Sequence, residues 1–191
     1  MPPPQEVEVK FLIRDISALE ARLLGSGFRQ QTPPTYELNV LYDTHDLSLR
    51  SRGEILRIRK YGDIWKLTHK SKGGSGKHKT RVEHETTVAD GPTLDTIFRA
   101  LGFQPRFTYE KFRSEWTDGT GHVVLDRTPI GDVAEIEGAP DWIDSTARHL
   151  GISESEYITR SYGDLFLDWK ERTGSRAEDM TFADCGAKSP Y

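Results

Sequence analysis

Near its start the chain reads EVEVKF, a stretch that places three charged side chains on one face of an extended strand. Successive side chains of a strand point to opposite faces, so Glu6, Glu8 and Lys10 share one face while Val7 and Val9 share the other. Carboxylates can hold hard divalent cations through their oxygen atoms, and an ammonium group can bind anionic oxygens. The pattern therefore raises the question of which face of the sheet is the interior.

The same alternation of charged and apolar residues recurs in stretches that predict further strands. In ILRIRKY, Arg57 and Arg59 alternate with apolar residues, and in WKLTHKS the residues Lys66 and Lys70 share one face. The charged faces of the other predicted strands carry Arg81, Glu83, Glu85, Lys111, Arg113, Glu115, Asp126, Glu135 and Glu137. Charge of both signs on almost every strand is difficult to explain as an ordinary solvated face.

Helical patterns lie between the strands. Helices are predicted in DISALEARLLGSGF, GPTLDTIFRALGF, APDWIDSTARHLGI and SESEYITRSYGDLFLDWKER, the last with Ser153 as its N-cap. Their apolar stripes must pack on the apolar faces of the strands, which leaves the charged faces on the opposite side of the sheet. A closed antiparallel β-barrel with a polar, charged lumen and helices on its outside satisfies both faces and removes the sheet edges. The sequence thus predicts an α+β fold of this kind.

An internal repeat supports one barrel. The stretch that begins at EVEVKF and the stretch that begins at RVEHET each read as a strand, a helix and a meander of strands. Neither half could bury its apolar faces and close its sheet edges alone, so we expect residues 5–172 to form one domain. Residues 173–191 have no sustained period and are expected to form a loosely ordered tail.

Composition excludes several classes of protein. The 191 residues carry a formal net charge of -4, which argues against a nucleic-acid partner and requires any basic site to be local. No apolar run approaches the roughly 20 residues of a membrane span, and MPPPQ lacks the regions of a signal peptide. We therefore expect no membrane association and a cytoplasmic location. Cys185 is the one cysteine, which excludes an intramolecular disulfide and a cysteine-based metal cluster.

Short motifs occur in a fixed order along the predicted elements. They are Glu-x-Glu-x-Lys from Glu6, YDT from Tyr42, LRIR from Leu56, LTHK ending at Lys70, Lys111 with Arg113, Asp126, EIE from Glu135 and RSYGDL from Arg160. This ordered set resembles the CYTH family, the superfamily of triphosphate tunnel metalloenzymes that contains class IV adenylyl cyclases and thiamine triphosphatases. The resemblance spans roughly residues 6–170, and the stretch HLGISESEYITRSYGDLF is most similar to the class IV cyclase branch.

The resemblance implies a barrel that encloses a triphosphate and a divalent cation, Mg²⁺ or Mn²⁺. The implied metal ligands are Glu6, Glu8, Asp126, Glu135 and Glu137, of which the family pattern supports Glu6, Glu8 and Glu135 most strongly. The implied triphosphate-binding residues are Lys10, Arg57, Arg59, Lys66, Lys70, Arg81, Lys111 and Arg113. Glu6, Glu8 and Lys10 are the implied catalytic residues.

The chemistry of these side chains agrees with that assignment. Arginine offers a planar fork of donors and lysine a point charge to phosphate oxygens, whereas carboxylates can engage phosphates only through bound cations. The alternative is that the lumen holds only a network of ion pairs without a ligand. Glu83 and Glu85 could orient the basic side chains instead of binding metal, and Arg160 and Tyr162 could serve in packing and capping; Lys170 has no assigned role.

Three functions from different classes follow from this pattern. The first is a metal-dependent enzyme acting on a small-molecule triphosphate, as a class IV adenylyl cyclase or as a triphosphatase for thiamine triphosphate, tripolyphosphate or a nucleoside triphosphate. The second is a non-catalytic module that binds polyphosphate or nucleotides, and the third is a structural interaction protein. The carboxylates favour the first, but the sequence does not separate cyclase from hydrolase, one metal ion from two, or one oligomeric state from another.

Overall fold

The computed structural model describes residues 5–74 and 76–191. Within these ranges eight strands form the sheet: β1 Gln5–Leu12, β2 Arg29–Asp43, β3 Ile55–Tyr61, β4 Ile64–Lys70, β5 Lys79–Val88, β6 Gln104–Thr117, β7 His122–Thr128 and β8 Gly131–Glu137. Five α-helices accompany them in the described chain: α1 Ile16–Gly25, α2 Ser48–Ser51, α3 Gly91–Ala100, α4 Pro140–His149 and α5 Tyr162–Thr173. None of the helices in these ranges has the length and apolar character needed to cross a bilayer.

The strands close into a barrel in the order β1-β5-β4-β3-β2-β6-β7-β8, and every neighbouring pair is antiparallel. The predicted closed antiparallel barrel with helices on its outside is therefore confirmed. Closure leaves no sheet edge with unpaired backbone groups. It also gives each strand one face toward the lumen and one face toward the helices.

The hydrophobic core lies outside the barrel, between the strands and the helices. Val9 and Phe11 of β1 pack against Leu19 and Leu23 of α1 and against Ile143 of α4 in one buried cluster. A smaller cluster forms under α3, where the ring of Phe98 meets that of Tyr42 at a centroid distance of 5.1 Å. The apolar strand faces therefore point outward, which answers the question raised by EVEVKF.

The helix predicted from Ser153 onward is wrong in its extent, because the chain is extended in its middle. Ser153 caps only a short 3-10 helix, Glu154–Glu156. Ile158 then pairs with Lys10 of β1 through two backbone hydrogen bonds of 2.8 and 2.9 Å, which no helical residue could form. A second cap, Ser161, starts α5 with its hydroxyl accepting from the N–H of Asp164.

The segment after α5 also differs from the loose order expected of residues 173–191. The N–H of Met180 donates to the carbonyl of Thr108 at 3.0 Å, and the N–H of Glu110 donates to the carbonyl of Met180 at 3.0 Å. Asp179 accepts from the N–H of Thr108 at 2.7 Å, and Phe182 donates to the Glu110 carboxylate at 2.8 Å. The sequence of this segment has no regular period, and its contacts with β6 order it instead. They hold residues 175–187 against the barrel as a strap. We call this segment the C-terminal strap.

Candidate active site in the charged barrel lumen

The lumen contains a cavity of about 1090 Å³ whose wall carries charge of both signs. Most of the predicted site residues line it together: Glu6, Glu8, Lys10, Arg57, Arg59, Lys70, Arg81, Lys111, Arg113, Glu135 and Glu137. Lys66 and Asp126 do not line it. Pockets that enclose a small molecule typically measure about 300–1,000 Å³, so this cavity is large enough for a triphosphate with an attached group.

Strand register brings the carboxylates of β1 and β8 side by side. Glu8 lies opposite Glu137, and Lys10 lies opposite Glu135. The Nζ atom of Lys10 is 2.6 Å from Glu8 and 3.2 Å from Glu135, so this ammonium group bridges two carboxylates. Burial alone would lower the pKa of Lys10, but Glu135 and Glu8 overcome this effect and raise it. Lys10 therefore stays charged and fixes both carboxylates in place.

The acidic residues are only partly neutralised by their basic neighbours. Burial alone would raise the pKa of Glu8, but Lys10 and Lys79 counteract it and hold the value at about 2. Glu137 is different: burial, followed by the negative charges of Glu6, Glu135 and Glu8, raises its pKa to about 7. Among the described residues Glu137 forms no ion pair within 4.0 Å. A surplus of negative charge thus remains at this end of the lumen.

This surplus predicts a pH-dependent effect of the substitution Glu137→Gln on the metal-free protein. Between the unfolded pKa of 4.5 and the folded value of about 7, the folded state holds a proton that the unfolded state releases. The free energy of unfolding of the wild type should therefore fall as pH rises through this window, and glutamine should remove that part of the fall. In urea unfolding measured with chelator present, the free energy of unfolding of the variant relative to that of the wild type should rise by on the order of 1–3 kcal/mol between about pH 5 and pH 8.

The matched control for this prediction is Glu171→Gln, an exposed position on α5 outside the cavity. The difference in the free energy of unfolding between Glu171→Gln and the wild type should not change across the same pH range. If the difference in the free energy of unfolding between Glu137→Gln and the wild type were also constant with pH, the charges of Glu6, Glu8 and Glu135 would not be acting on Glu137.

Basic residues of β3 face the cavity with donors that the protein does not use. Arg57 and Arg59 are each more than nine-tenths buried, and their Nε atoms find no hydrogen-bond partner in the described residues. Arg81 on β5 likewise leaves Nε and Nη1 without a partner there. Buried donors are normally satisfied, and an unmade bond costs about 1–3 kcal/mol. These unpartnered atoms are themselves buried, and a guanidinium group on a cavity wall is suited to bind an anion with several oxygens through its other N–H groups.

A deeper pair of carboxylates holds the basic side chains from behind. Asp126 is fully buried and accepts from Lys111 at 3.0 Å, from Arg113 at 2.6 and 2.7 Å, and from the hydroxyl of Tyr162. Glu37 is also fully buried and lies 3.4 Å from Lys111. Asp126 is thus not brought together with the other expected metal ligands, because its oxygens already accept from three side chains below the cavity wall. In this structure it positions Lys111 and Arg113.

The flanking residues of β4 and β5 form a second set of ion pairs. Lys66 donates to Glu85 at 2.8 Å near the start of β4 and does not line the cavity. Glu85 also accepts from Arg59 at 2.6 Å, and Glu83 lies 2.9 Å from Lys70. Both carboxylates therefore orient basic side chains, which was one of the two roles expected for them.

Sequence reasoning missed two charged residues that contact predicted site residues. Lys79 lies 3.2 Å from Glu8, and its pKa is lowered to about 8 by burial and by the charge of Lys10. It shares strand parity with Arg81, so the alternation of β5 could have identified it. Glu37 shares parity with Asn39 in YELNV, but a single acidic residue in that stretch gives a weaker signal.

The oxygen donors of the lumen fit a hard divalent cation. Glu6, Glu8, Glu135 and Glu137 line one cavity, and burial together with the charges of the other three raises the pKa of Glu137. Oxygen ligands of this kind suit Mg²⁺ or Mn²⁺. In the described part of the chain no three such groups converge at ligand spacing, because Lys70 contacts Glu6 at 2.7 Å and Lys10 contacts Glu8. A cation would have to exchange with these ammonium groups.

A closed eight-stranded antiparallel barrel with outside helices and a charged lumen defines the class of the triphosphate tunnel fold. A family model described as the CYTH domain matches residues 4–162 of this chain. The chain belongs to the CYTH domain family.

Comparison with individual proteins agrees with the family and the fold. Adenylate cyclase CyaB from Aeromonas hydrophila is 27% identical over 84% of this chain and 87% of its own length. The structure of a "putative adenylate cyclase" from Vibrio parahaemolyticus is similar at a TM-score of 0.74 and 20% identity, covering 86% of this chain and 99% of that one. A Hippeastrum structure is described as a "putative adenylyl cyclase" with a dominant triphosphatase activity. It is similar at a TM-score of 0.62 and 20% identity, covering 85% of this chain and 95% of that one.

Proposed function

We propose that this protein is a divalent-metal-dependent enzyme that acts on a triphosphate bound inside the barrel. The observation that carries the proposal is the composition of the cavity wall, which combines four of the five predicted metal ligands with seven of the eight predicted basic residues. An ion-pair network alone would satisfy its own donors, whereas the buried guanidinium groups of Arg57 and Arg59 leave donors unused among the described residues. Arg81 lines the same cavity and forms no ion pair within 4.0 Å in the described residues, which supports the presence of an anionic ligand.

The basic residues would bind and orient the phosphate groups. Arg57, Arg59, Arg81 and Arg113 offer planar forks, and Lys10, Lys70 and Lys111 offer point charges on the same cavity. Glu37 and Asp126 hold Lys111 and Arg113 in place from behind the wall. Such preorganised cations stabilise the charge that develops on phosphate oxygens without reorganising during the reaction.

The carboxylates of β1 and β8 would hold the cation. Glu6, Glu8, Glu135 and Glu137 are the residues placed to ligate Mg²⁺ or Mn²⁺. When bound, the cation would offset the negative charge of the phosphate groups. Lys10, which pairs with Glu8 and Glu135 in this structure, would release carboxylate oxygens to the cation. Glu6 or Glu8 could then accept a proton from the attacking hydroxyl or water.

The first candidate reaction is the cyclisation of ATP, which the name of the Aeromonas hydrophila relative supports. A ribose hydroxyl attacks the phosphorus nearest the nucleoside, and its proton passes to a base. The bond from that phosphorus to the bridging oxygen breaks, and pyrophosphate leaves with the electron pair. Cyclic AMP is the other product.

The second candidate reaction is hydrolysis of the triphosphate, which the description of the Hippeastrum neighbour favours. Water attacks the terminal phosphorus, and the bond to its bridging oxygen breaks to release orthophosphate. The same basic wall and carboxylates serve both reactions, because both need the phosphates held and charge offset. A non-catalytic binding module would not need the cluster of four carboxylates.

Product analysis separates these candidates. Purified protein is incubated with Mg²⁺ or Mn²⁺ and with ATP, thiamine triphosphate or tripolyphosphate in separate reactions, and the products are identified by chromatography. Cyclic AMP with pyrophosphate establishes the cyclase, whereas orthophosphate establishes the triphosphatase. If tripolyphosphate binds but every substrate survives, the enzyme assignment is wrong and the binding module takes its place.

A further inference from the structure

One mouth of the cavity differs in chemistry from its centre. At the end of the barrel where β3 and β6 begin, the wall combines charged residues such as Arg50, Arg106 and Lys170 with apolar residues of several elements. The apolar residues are Leu41, Leu47, Ile55, Leu56, Phe107, Phe166 and Leu167. A bare triphosphate gains nothing from this apolar surface, because its oxygens need donors and cations. This mouth is therefore suited to a part of the ligand other than its phosphates.

Helix α5 turns one stripe toward this mouth. Gly163, Phe166, Leu167 and Lys170 line the cavity at the helical spacing i, i+3, i+4 and i+7. Leu167 is 50% exposed although it lies on the cavity wall. An apolar side chain left open on a concave surface offers contact area to a ligand.

Loop residue Leu47 presents a second open apolar side chain to the same mouth. It is 39% exposed and has a φ of 57°, in the left-handed region that is unfavourable for a residue with a side chain. Residues held in this conformation cost on the order of 1–3 kcal/mol, and such cases cluster at ligand-binding sites. Leu47 and Leu167, from separate elements, thus both present apolar surface to one cavity mouth.

The C-terminal strap adds a carboxylate to this rim. Glu178 lines the cavity, and its N–H and that of Asp179 both donate to Asp184 at 3.0 and 2.9 Å. Met180 next to it is fully buried and bonded to β6. The strap lies beyond residues 4–162, which the family model matches. Glu178 is therefore held at the mouth by a segment that the family pattern does not include.

The position of Glu178 does not suit either of the proposed lumen roles. It would repel phosphates, and in the described residues it forms no ion pair within 4.0 Å even though Arg106 and Lys170 line the same mouth. The strap is anchored at Thr108, whereas Glu137 is level with Thr117 through β7. Glu178 is thus held by a different element from the carboxylates of β1 and β8 that are placed to hold the cation.

We propose that Glu178 is a specificity-determining residue that accepts from an amino group, or pairs with a positive charge, on the organic part of the substrate. This inference rests on the proposed function and narrows its substrate class to an organic triphosphate. The ring system of that substrate lies at the mouth against Leu47 and Leu167, and its phosphates extend into the basic lumen. Inorganic tripolyphosphate fills only the lumen.

The test compares ligands that differ at one group. Binding of ATP, inosine triphosphate and tripolyphosphate to the full chain is measured by calorimetry with Mn²⁺ for wild type and Glu178→Gln. Inosine triphosphate carries an oxygen where ATP carries its amino group. We expect the Kd for ATP to rise about fivefold to tenfold in the variant, while the Kd values for inosine triphosphate and tripolyphosphate change less than twofold. Glu171→Gln removes the same charge from an exposed position outside the cavity and should leave all three Kd values unchanged.

The outcomes distinguish this inference from the proposed function. Equal changes for all three ligands would show only a general effect of charge and would overturn the role of Glu178, as would no change for any of them. Wild type binding tripolyphosphate at least as tightly as ATP would also overturn it, because the mouth would then contribute nothing. If wild type binds no triphosphate, the proposed function itself is wrong and this inference falls with it.

Discussion

Replacing Glu6 by glutamine should lower the turnover of a triphosphate by roughly 100- to 1,000-fold, in the range seen when one preorganised charge-stabilising group is removed. Glu6 lies on the cavity wall, where burial and the charges of Glu8 and Glu83 raise its pKa against the opposing effect of Lys70. Glutamine keeps the shape of the side chain but loses the negative charge that would hold the cation. Initial rates at saturating Mg²⁺ or Mn²⁺ measure the loss.

The control for this substitution is Glu115→Gln, because Glu115 lines the same cavity but hydrogen-bonds to Thr32 and Tyr61 and lies outside the metal set. Its turnover should stay within about threefold of wild type. Urea unfolding should give both variants close to wild-type stability, since Glu6 is partly exposed. Full activity of Glu6→Gln, or activity of the wild type that persists in excess chelator, would contradict the metal assignment.

Replacing Arg57 by methionine should weaken binding of tripolyphosphate by roughly 10- to 150-fold. The side chain is buried on the cavity wall and its Nε atom has no partner in the described residues. Each charge-assisted hydrogen bond lost to the phosphates is worth about 1.5–3 kcal/mol, and methionine fills a similar volume without a donor. Calorimetric titration of tripolyphosphate measures the Kd.

Two further variants make this result specific. Arg57→Lys keeps the charge but loses the planar fork, so its loss should be intermediate between those of wild type and methionine. Arg172→Met removes a cation from an exposed position on α5 and should change the Kd less than twofold. An Arg57→Met protein that is folded and binds tripolyphosphate as wild type does would place the anion site outside this lumen.

Charged and apolar residues alternate along the strands, and this alternation predicted both the barrel and the side chains that face its lumen. A period of two fixes which side chains share a face, so Glu6, Glu8 and Lys10 could be assigned together with Arg57 and Arg59. Register could not be predicted in the same way, because the pairing of Lys10 with Glu135 depends on how distant strands align. The roles of these residues in metal and phosphate binding remain predictions.

The departures from expectation arise where tertiary contacts outweigh local patterns. Asp126 has the parity of a lumen residue, but Lys111, Arg113 and Tyr162 enclose its carboxylate below the cavity wall. The segment around Ile158 carries a helical pattern, yet its backbone pairs with the free side of Lys10, where β1 continues past the first residue of β5.

The strap is a further case of the same kind. Residues 173–191 have the composition of a loose tail, and only the hydrogen bonds of Met180 and Asp179 with β6 reveal that the segment is ordered. No single-sequence period encodes such a contact.

The most direct test of the account is a calorimetric titration of tripolyphosphate into wild-type protein with Mn²⁺ at a fixed free concentration and, separately, with chelator. If basic residues and carboxylates of one lumen hold a triphosphate and a cation together, each ligand must strengthen binding of the other. We expect one site per chain with a Kd at least tenfold lower with Mn²⁺ than with chelator. No binding under either condition, or the same Kd in both, would contradict the claim that this barrel is a metal-dependent triphosphate site.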